Sequence, residues 1–260
     1  MTQFTVTNAD FIDIVRNNRP QKLIRKQSFD NFNESILGLG TISSKTTTID
    51  ALSVIFDLEG FTAFCKQVDP HLAVPLFLDT FLKWMFDEIK QELTCEIFEE
   101  GYSTWADLPF LSKYLGDGLL FLWNVSSLSD VSINNVIVAM YRICQKYEQE
   151  FLPRIAQKVA QLPFKLRCGI ARGFIYSVGN GNDFVGPCIN ISARLQKLNS
   201  LSFCFSQRGI NTNAFDSEYN SLFITKKVAI RGIGDNELVC IPRHEYEHLV
   251  KFEKDKFFDI

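Results

Sequence analysis

ALSVIFDLEGFT, residues 51–62, joins a six-residue apolar run to an acidic residue, a glycine and the start of a helical pattern. A run of this length suits a buried β-strand, and the glycine suits a tight turn into the next element. Helical periodicity continues over residues 62–93, with an interruption at Asp69 and Pro70 where a second helix can begin. The stretch therefore predicts a strand, a turn and a helix, with Asp57 at the end of the strand.

A second landmark is Gly116-Asp117-Gly118, whose Asp-Gly pair is a strong hairpin signal between two apolar segments. Residues 130–158 and 187–198 have helical patterns. The segments that we predict to be strands are Pro109–Tyr114, Leu119–Trp123, Phe164–Ala171, Phe174–Val178, Leu201–Ser206, Val228–Arg231 and Leu238–Ile241. Strands that alternate with helices but include a hairpin predict an α+β fold, in which helices cover a mixed sheet.

The composition limits the class of protein. The chain has 260 residues, of which 46% are hydrophobic, so it can bury a large core. Its net charge of -3 argues against nucleic-acid binding, and no apolar run approaches the length needed for membrane insertion. Seven scattered Cys and three His favour reduced, buried thiols over disulfides or a His-based metal centre. We expect a cytoplasmic protein.

The chain divides into three parts by pattern. Residues 1–48 are rich in polar residues and contain one short helical candidate, Phe11–Val15, so we predict an N-terminal accessory arm. Residues 49–242 carry the strand and helix patterns and form the predicted catalytic domain. Residues 243–260 are predicted to be a C-terminal tail.

Two carboxylates stand out because each ends or interrupts an apolar strand beside a glycine. Buried carboxylates are costly unless they are paired with cations, hydrogen bonds or metal. If the strand of Asp57 lies beside the hairpin, Asp57 and Asp117 project from neighbouring positions, which is suited to divalent metal with a phosphate substrate. The alternative is that Asp57 caps the following helix and Asp117 is an ordinary turn residue.

Two further segments have the chemistry of nucleotide binding. Phe61 and Thr62 open a helix after a glycine turn, where backbone N–H groups can bind phosphate. Asn190 and Arg194 are four residues apart, so a helix puts the amide and the guanidinium on one face, with Asp183 seven residues before Asn190. The alternative for this helix is an amphipathic element whose polar side is solvated.

Three segments together resemble the signature blocks of class III nucleotidyl cyclases, in the correct order. They are residues 56–62 (FDLEGFT), 113–117 (KYLGD) and 183–194 (DFVGPCINISAR). The resemblance covers about residues 50–242 and implies the class III nucleotidyl cyclase fold, with a ferredoxin-like βαββαβ core. It also implies a head-to-tail homodimer with active sites at the interface.

The resemblance implies a role for each matching residue. Asp57, Asp117 and the carbonyl of Leu58 would hold two divalent metal ions, Mn²⁺ or Mg²⁺, and Phe61 and Thr62 would lie at the triphosphate. From the opposite protomer, Asn190 would orient the ribose and Arg194 would stabilise the charge on the leaving pyrophosphate. The residues that would contact the base are Lys113 and Asp183, and Arg231 stands where the family has a phosphate-binding lysine.

Two longer stretches are similar to the short bacterial cyclases of the Pycsar anti-phage systems. They are residues 169–198, GIARGFIYSVGNGNDFVGPCINISARLQKL, and 71–86, HLAVPLFLDTFLKWMF. This similarity implies that UTP or CTP is converted to cyclic UMP or cyclic CMP, which acts on a separate effector. Two alternatives stay open: an adenylate cyclase, and a degenerate domain that binds nucleotide and signals by conformation.

Overall fold

The fold was analysed in a computed structural model, which describes residues 8–16, 19–42, 45–99, 102–105, 108–198 and 200–260. The chain forms two compact units. The smaller unit comprises Met1–Thr48 and Tyr176–Val185, and the larger unit comprises Ile49–Ile175 and Gly186–Ile260. Each is described by itself.

The smaller unit contains a two-stranded hairpin and a loop region. Strands β1 (Phe11–Arg16) and β2 (Arg19–Ile24) pair antiparallel, with Phe11 opposite Ile24, and helix α1 (Lys26–Asp30) follows. The helical candidate at Phe11–Val15 is therefore wrong. A six-residue segment is too short for its apolar spacing to distinguish a helix from a strand, and pairing with β2 decides in favour of the strand.

The larger unit alternates strands with helices, as the sequence predicts. Its strands are β3 (Thr48–Glu59), β4 (Thr94–Glu99), β5 (Tyr102–Trp105), β6 (Leu111–Tyr114), β7 (Gly118–Asn124), β8 (Lys165–Val178), β10 (Phe203–Ser206), β11 (Phe223–Ile230), β12 (Gly234–Pro242) and β13 (Phe257–Phe258). Its helices are α2 (Phe61–Phe64), α3 (Pro70–Leu93), α4 (Asp130–Lys146), α5 (Leu152–Ile155), α6 (Pro187–Leu195), α7 (Ser217–Leu222), α8 (Arg243–His248) and α9 (Lys251–Lys254). A π-helical turn, Tyr147–Phe151, joins α4 to α5.

One mixed sheet organises the larger unit, in the order β13-β11-β12-β10-β8-β3-β7-β6. Strands β3 and β7 pair antiparallel, as do β6 and β7, whereas β10 pairs parallel to β8. The central strands β8, β3, β7 and β6 are joined along the chain by α3 and α4, which gives the expected βαββαβ arrangement. The predicted α+β fold is confirmed.

The core lies between the sheet and helices α3 and α4. Alternate residues of β3, namely Leu52, Val54 and Phe56, are fully buried in the same apolar cluster as residues of these helices. On the opposite face of β3, the hydroxyl of Ser53 lies 2.8 Å from that of Ser192 on α6. Helix α6 therefore packs on the face of the sheet that α3 and α4 leave open.

Two details of the larger unit differ from the sequence prediction. The strands predicted at Phe164–Ala171 and Phe174–Val178 are one strand, β8, whose last three residues lie in the smaller unit and pair with β9 (Asp183–Val185). Gly173 does not break β8, and a Cβ there would make an ordinary van der Waals contact with Cys188 Cβ at 3.4 Å. The β4–β5 hairpin was not predicted at all.

The remaining expectations concern thiols and membranes. The six described cysteines are free, and all except Cys65 are buried. Burial raises the pKa of the Cys188 and Cys240 thiols to about 11, which suits structural thiols rather than nucleophiles.

Within the described residues, the helices include none with the length and apolar character to span a membrane. The division of the chain at residues 48 and 242 stays a prediction.

Candidate active site

Asp57 lies on β3, and Asp117 lies in the β6–β7 turn directly before β7, the strand that pairs with β3. Asp57 lies opposite Gly118 in the register of β3 and β7, and the N–H of Leu58 donates a 2.9 Å hydrogen bond to the carbonyl of Asp117. The strand of Asp57 thus lies beside the hairpin, as the predicted proximity of Asp57 and Asp117 requires. Both carboxylates belong to the same end of this strand pair.

Glycines make this close approach possible. A Cβ at Gly118 would lie 2.1 Å from the carbonyl oxygen of Phe56, so no larger residue fits between the strands at that point. Gly116 has a φ of 95° and allows the chain to turn directly before Asp117. The Asp-Gly turn therefore serves the geometry of the acidic pair as well as the hairpin.

Asp57 is buried, with 4% of its surface exposed, and two cations accompany it. Arg167 Nε donates a 3.1 Å hydrogen bond to Asp57 Oδ2, and Arg167 Nη2 donates to the same oxygen. Lys197 Nζ lies 3.6 Å from the other oxygen, Oδ1. The carboxylate therefore has an ion pair with Arg167 and a longer contact with Lys197.

Sequence reasoning missed Arg167 and Lys197. Arg167 lies in β8 between Leu166 and Cys168, which are both fully buried. A charged residue within an apolar strand is the same signal that identified Asp57, so Arg167 could have been found in the same way. Lys197 follows the last turn of α6, where a lysine is common and carries no signal.

Asp117 is half-buried, next to the phenol of Tyr114. Burial, followed by the charge of Asp117, raises the pKa of Tyr114. The Tyr114 hydroxyl donates a hydrogen bond to the carbonyl of Gly116, which ties the side chain to the turn. The phenol therefore stays neutral beside the carboxylate.

The predicted phosphate-binding residues follow directly on the chain. Gly60, with a φ of 88°, precedes α2, in which Phe61 is half-buried and Thr62 is exposed. The side chain of Phe61 packs against Phe64, with ring centroids 5.6 Å apart. The exposed Thr62 hydroxyl is thus presented one short turn after Asp57 and Leu58.

Asn190 and Arg194 are both exposed on α6, as the spacing predicts, while the opposite side of the helix is buried through Cys188, Ile191 and Leu195. Arg194 lies against the turn between β11 and β12. A Cβ added at Gly232 would be 3.4 Å from Arg194 Nη2. The structure thus brings Arg194 close to Gly232, the residue that follows Arg231. Arg231 is itself exposed.

The two residues predicted to contact the base belong to different units, and each is located within its own unit. Lys113 lies on the edge strand β6 of the larger unit and is exposed. Asp183 begins β9 in the smaller unit, where its Oδ1 accepts a 2.9 Å hydrogen bond from the N–H of Phe184. The shared role of Lys113 and Asp183 stays a prediction.

The donor set fits a hard divalent cation. Asp57, Asp117 and the carbonyl of Leu58 supply only oxygen ligands, which Mg²⁺ and Mn²⁺ prefer. No cluster of three or more His, Cys, Asp or Glu side chains suited to metal occurs in the part of the chain that the structure describes. Two carboxylates suffice where substrate phosphates complete the coordination.

Comparison with known proteins supports this fold. No protein-family model and no curated protein sequence matches the chain. Among solved structures, the adenylyl cyclase CyaB from P. aeruginosa is similar at 13% identity, over 76% of this chain and 96% of that one, with a TM-score of 0.56.

Two guanylyl cyclase structures are also similar. One is the catalytic core of a rhodopsin-guanylyl cyclase with converted specificity, in complex with ATPαS (14% identity, 76% and 98% coverage, TM-score 0.52). The other is the guanylyl cyclase Cya2 (15% identity, 76% and 94% coverage, TM-score 0.51). The mixed sheet with flanking helices described above therefore has the fold of the class III nucleotidyl cyclase catalytic domain.

Proposed function

We propose that the protein is a nucleotidyl cyclase that converts a nucleoside triphosphate to the 3',5'-cyclic monophosphate and pyrophosphate. The observation that carries the proposal is the adjacency of Asp57 and Asp117, fixed by the hydrogen bond between Leu58 and Asp117. An ordinary capping or turn residue has no need for the buried ion pair with Arg167 that Asp57 makes. The proposal includes a cytoplasmic homodimer.

The reaction is an intramolecular displacement. The ribose 3'-oxygen attacks the α-phosphorus, the bond to the β-phosphate oxygen breaks, and the hydroxyl proton is lost. Asp57, Asp117 and the carbonyl of Leu58 would hold the two divalent ions, which lower the hydroxyl pKa and neutralise phosphate charge when they are bound. Arg167 keeps the Asp57 carboxylate oriented through its two hydrogen bonds to Oδ2.

The remaining steps use residues of both protomers. Thr62 and the backbone at the start of α2 would bind the phosphates, and Arg231 would add a further cation. Asn190 of the opposite protomer would orient the ribose, and Arg194 would stabilise the charge on the departing pyrophosphate. Both side chains are exposed, as this arrangement requires.

We further propose that the base is a pyrimidine, with uracil favoured over cytosine, and that the product is a messenger in anti-phage defence that acts on a separate effector. The support is the similarity of residues 71–86 and 169–198 to the Pycsar cyclases. For uracil, Asp183 would accept from N3–H and Lys113 would donate to O4. The similar structures include adenylyl and guanylyl cyclases, so the fold alone does not choose the base.

Steady-state kinetics with UTP, CTP and ATP, for the parent protein and for Asp183→Ala, test this assignment. A base reader discriminates because a wrong base leaves its polar groups unpaired, so truncation should reduce the preference for UTP more than it reduces stability. A parent protein that prefers ATP would support the adenylate cyclase alternative. Absence of any cyclic product would support the degenerate binding domain.

A further inference from the structure

Lys197 lies beside Asp57, but the sequence did not indicate it and the proposed reaction gives it no role. Its ammonium nitrogen lies 3.6 Å from Asp57 Oδ1. The backbone N–H of Lys197 donates to the carbonyl of Arg194 at 3.2 Å, so the backbone is anchored to α6. The side chain is 57% exposed. An anchored backbone thus carries an exposed cation next to a buried carboxylate.

The two oxygens of Asp57 differ in their partners. Oδ2 accepts both hydrogen bonds from Arg167, whose side chain is only 16% exposed. Oδ1 has the ammonium of Lys197 at a distance beyond a normal hydrogen bond, and no described residue donates a hydrogen bond to it. Arg167, whose Nη1 also lies 3.7 Å from Glu59, is therefore the hydrogen-bonded partner of the carboxylate, and Oδ1 is the oxygen that an incoming cation can reach.

We infer that Lys197 is an exchangeable cation, which occupies Asp57 Oδ1 in the metal-free protein and is displaced from it when a divalent ion binds there. A buried carboxylate needs compensation for its lost hydration, and the ammonium supplies part of it. The pair is exposed on the lysine side, so it is weak enough to be displaced.

The displaced ammonium stays attached to the end of α6 and can reach a phosphate of the bound nucleotide. This second half of the inference rests on the proposed function, because it needs a triphosphate beside Asp57. Lys197 is then a positioning residue of the same chain, whereas Arg194, three residues earlier, is proposed to act in the site of the partner. Helix α6 would contribute to both sites of a dimer.

The test is Mn²⁺ binding without nucleotide, measured by the loss of the free-Mn²⁺ paramagnetic resonance signal. The Mn²⁺ binding that depends on Asp57 is obtained by subtracting the titration curve of the Asp57→Asn variant. Lys197→Met should tighten this binding about two- to fivefold, because it removes the competing cation. Lys197→Arg, which keeps the charge, should retain the affinity of the parent. Lys251→Met, which removes an exposed lysine from α9, should retain it as well.

A merely structural ion pair would lower the melting temperature of Lys197→Met and leave its Mn²⁺ affinity unchanged, and that result would overturn the inference. So would the absence of Asp57-dependent Mn²⁺ binding in both the parent and the variant. For the second half, we expect Lys197→Met to raise KM for the triphosphate more than it lowers kcat. An unchanged KM would overturn that half.

These outcomes separate the inference from the proposed function. If Lys197→Met binds Mn²⁺ more tightly but the protein makes no cyclic nucleotide, the cation exchange at Asp57 is supported and the cyclase function is rejected. If the protein makes a cyclic nucleotide but its Mn²⁺ affinity is the same with and without the Lys197 ammonium, the cyclase function is supported and the cation exchange is rejected.

Discussion

Leu58 donates its backbone N–H to the carbonyl of Asp117 at 2.9 Å, and this one bond sets the geometry of the acidic pair. It continues the β3–β7 pairing by one residue past Asp57 and Gly118 into the turn. The two residues are therefore adjacent at one end of the β3–β7 pair, although 59 residues separate them in the chain.

Removal of either carboxylate should abolish the reaction. Asp57→Ala and Asp117→Ala should each reduce cyclic nucleotide to background in an assay that identifies the product by mass, because each removes one of the two side-chain ligands proposed for the metal ions. Circular dichroism should show a folded protein for both variants. Full activity in either variant would reject the metal site.

Two inactive variants should restore activity when they are combined. If the carboxylates and Arg194 act from opposite protomers, a heterodimer of Asp57→Ala and Arg194→Ala contains one complete site. Arg194→Ala alone should lose about 30- to 1000-fold in rate, the usual cost of one preorganised donor. Heterodimers that form, as verified with two affinity tags, but remain inactive would contradict the shared site.

Arg167 should be coupled to Asp57 in stability. Arg167→Met leaves a buried carboxylate without its main partner, and we expect a loss of about 3 kcal/mol in the free energy of unfolding. The double variant Asp57→Asn/Arg167→Met should recover part of this loss, because the buried carboxylate is gone, although Glu59, 3.7 Å from Arg167 Nη1, also loses its cation. Denaturant titrations of the four proteins measure the coupling, and additive losses would mean that the two side chains do not interact.

Gly118 should tolerate no side chain. Gly118→Ala would place a methyl group 2.1 Å from the carbonyl oxygen of Phe56, and the strands must separate to accept it. We expect a loss of about 1–3 kcal/mol in stability together with loss of activity. Gly173→Ala is the matched control, since its nearest contact is 3.4 Å. Equal stabilities for these two variants would contradict the close approach of β3 and β7 at Gly118.

The sequence predicted most of the central fold, because its strands are strongly apolar and its helices have a clear period. Strands β3, β6 and β7, and the start of α3 at Pro70, occur where the pattern places them. The errors arose where local sequence is ambiguous. Gly173 resembled a break in β8 because glycine is unfavourable inside a strand, whereas β8 continues through it within the sheet.

The same distinction holds for the candidate site. Asp57 and Asp117 were identified because a carboxylate in an apolar context is costly anywhere in a fold. Arg167 carries the same signal, a charged residue within an apolar strand, but that signal does not say which residue it pairs with. Its pairing with Asp57, and that of Lys197, follows from the arrangement of β8 and α6 beside β3. The sequence pattern indicates which charged residue needs a partner of opposite charge, and the tertiary structure shows which residue is that partner.

The most direct test of the central claim is a single incubation of the purified protein with equimolar UTP, CTP, ATP and GTP and Mn²⁺, followed by mass identification of every cyclic product. Asp57→Ala is treated in parallel. We predict cyclic UMP, with cyclic CMP second, from the parent and no cyclic product from the variant. A parent protein that yields no cyclic nucleotide, or yields the same product as the variant, would contradict the assignment.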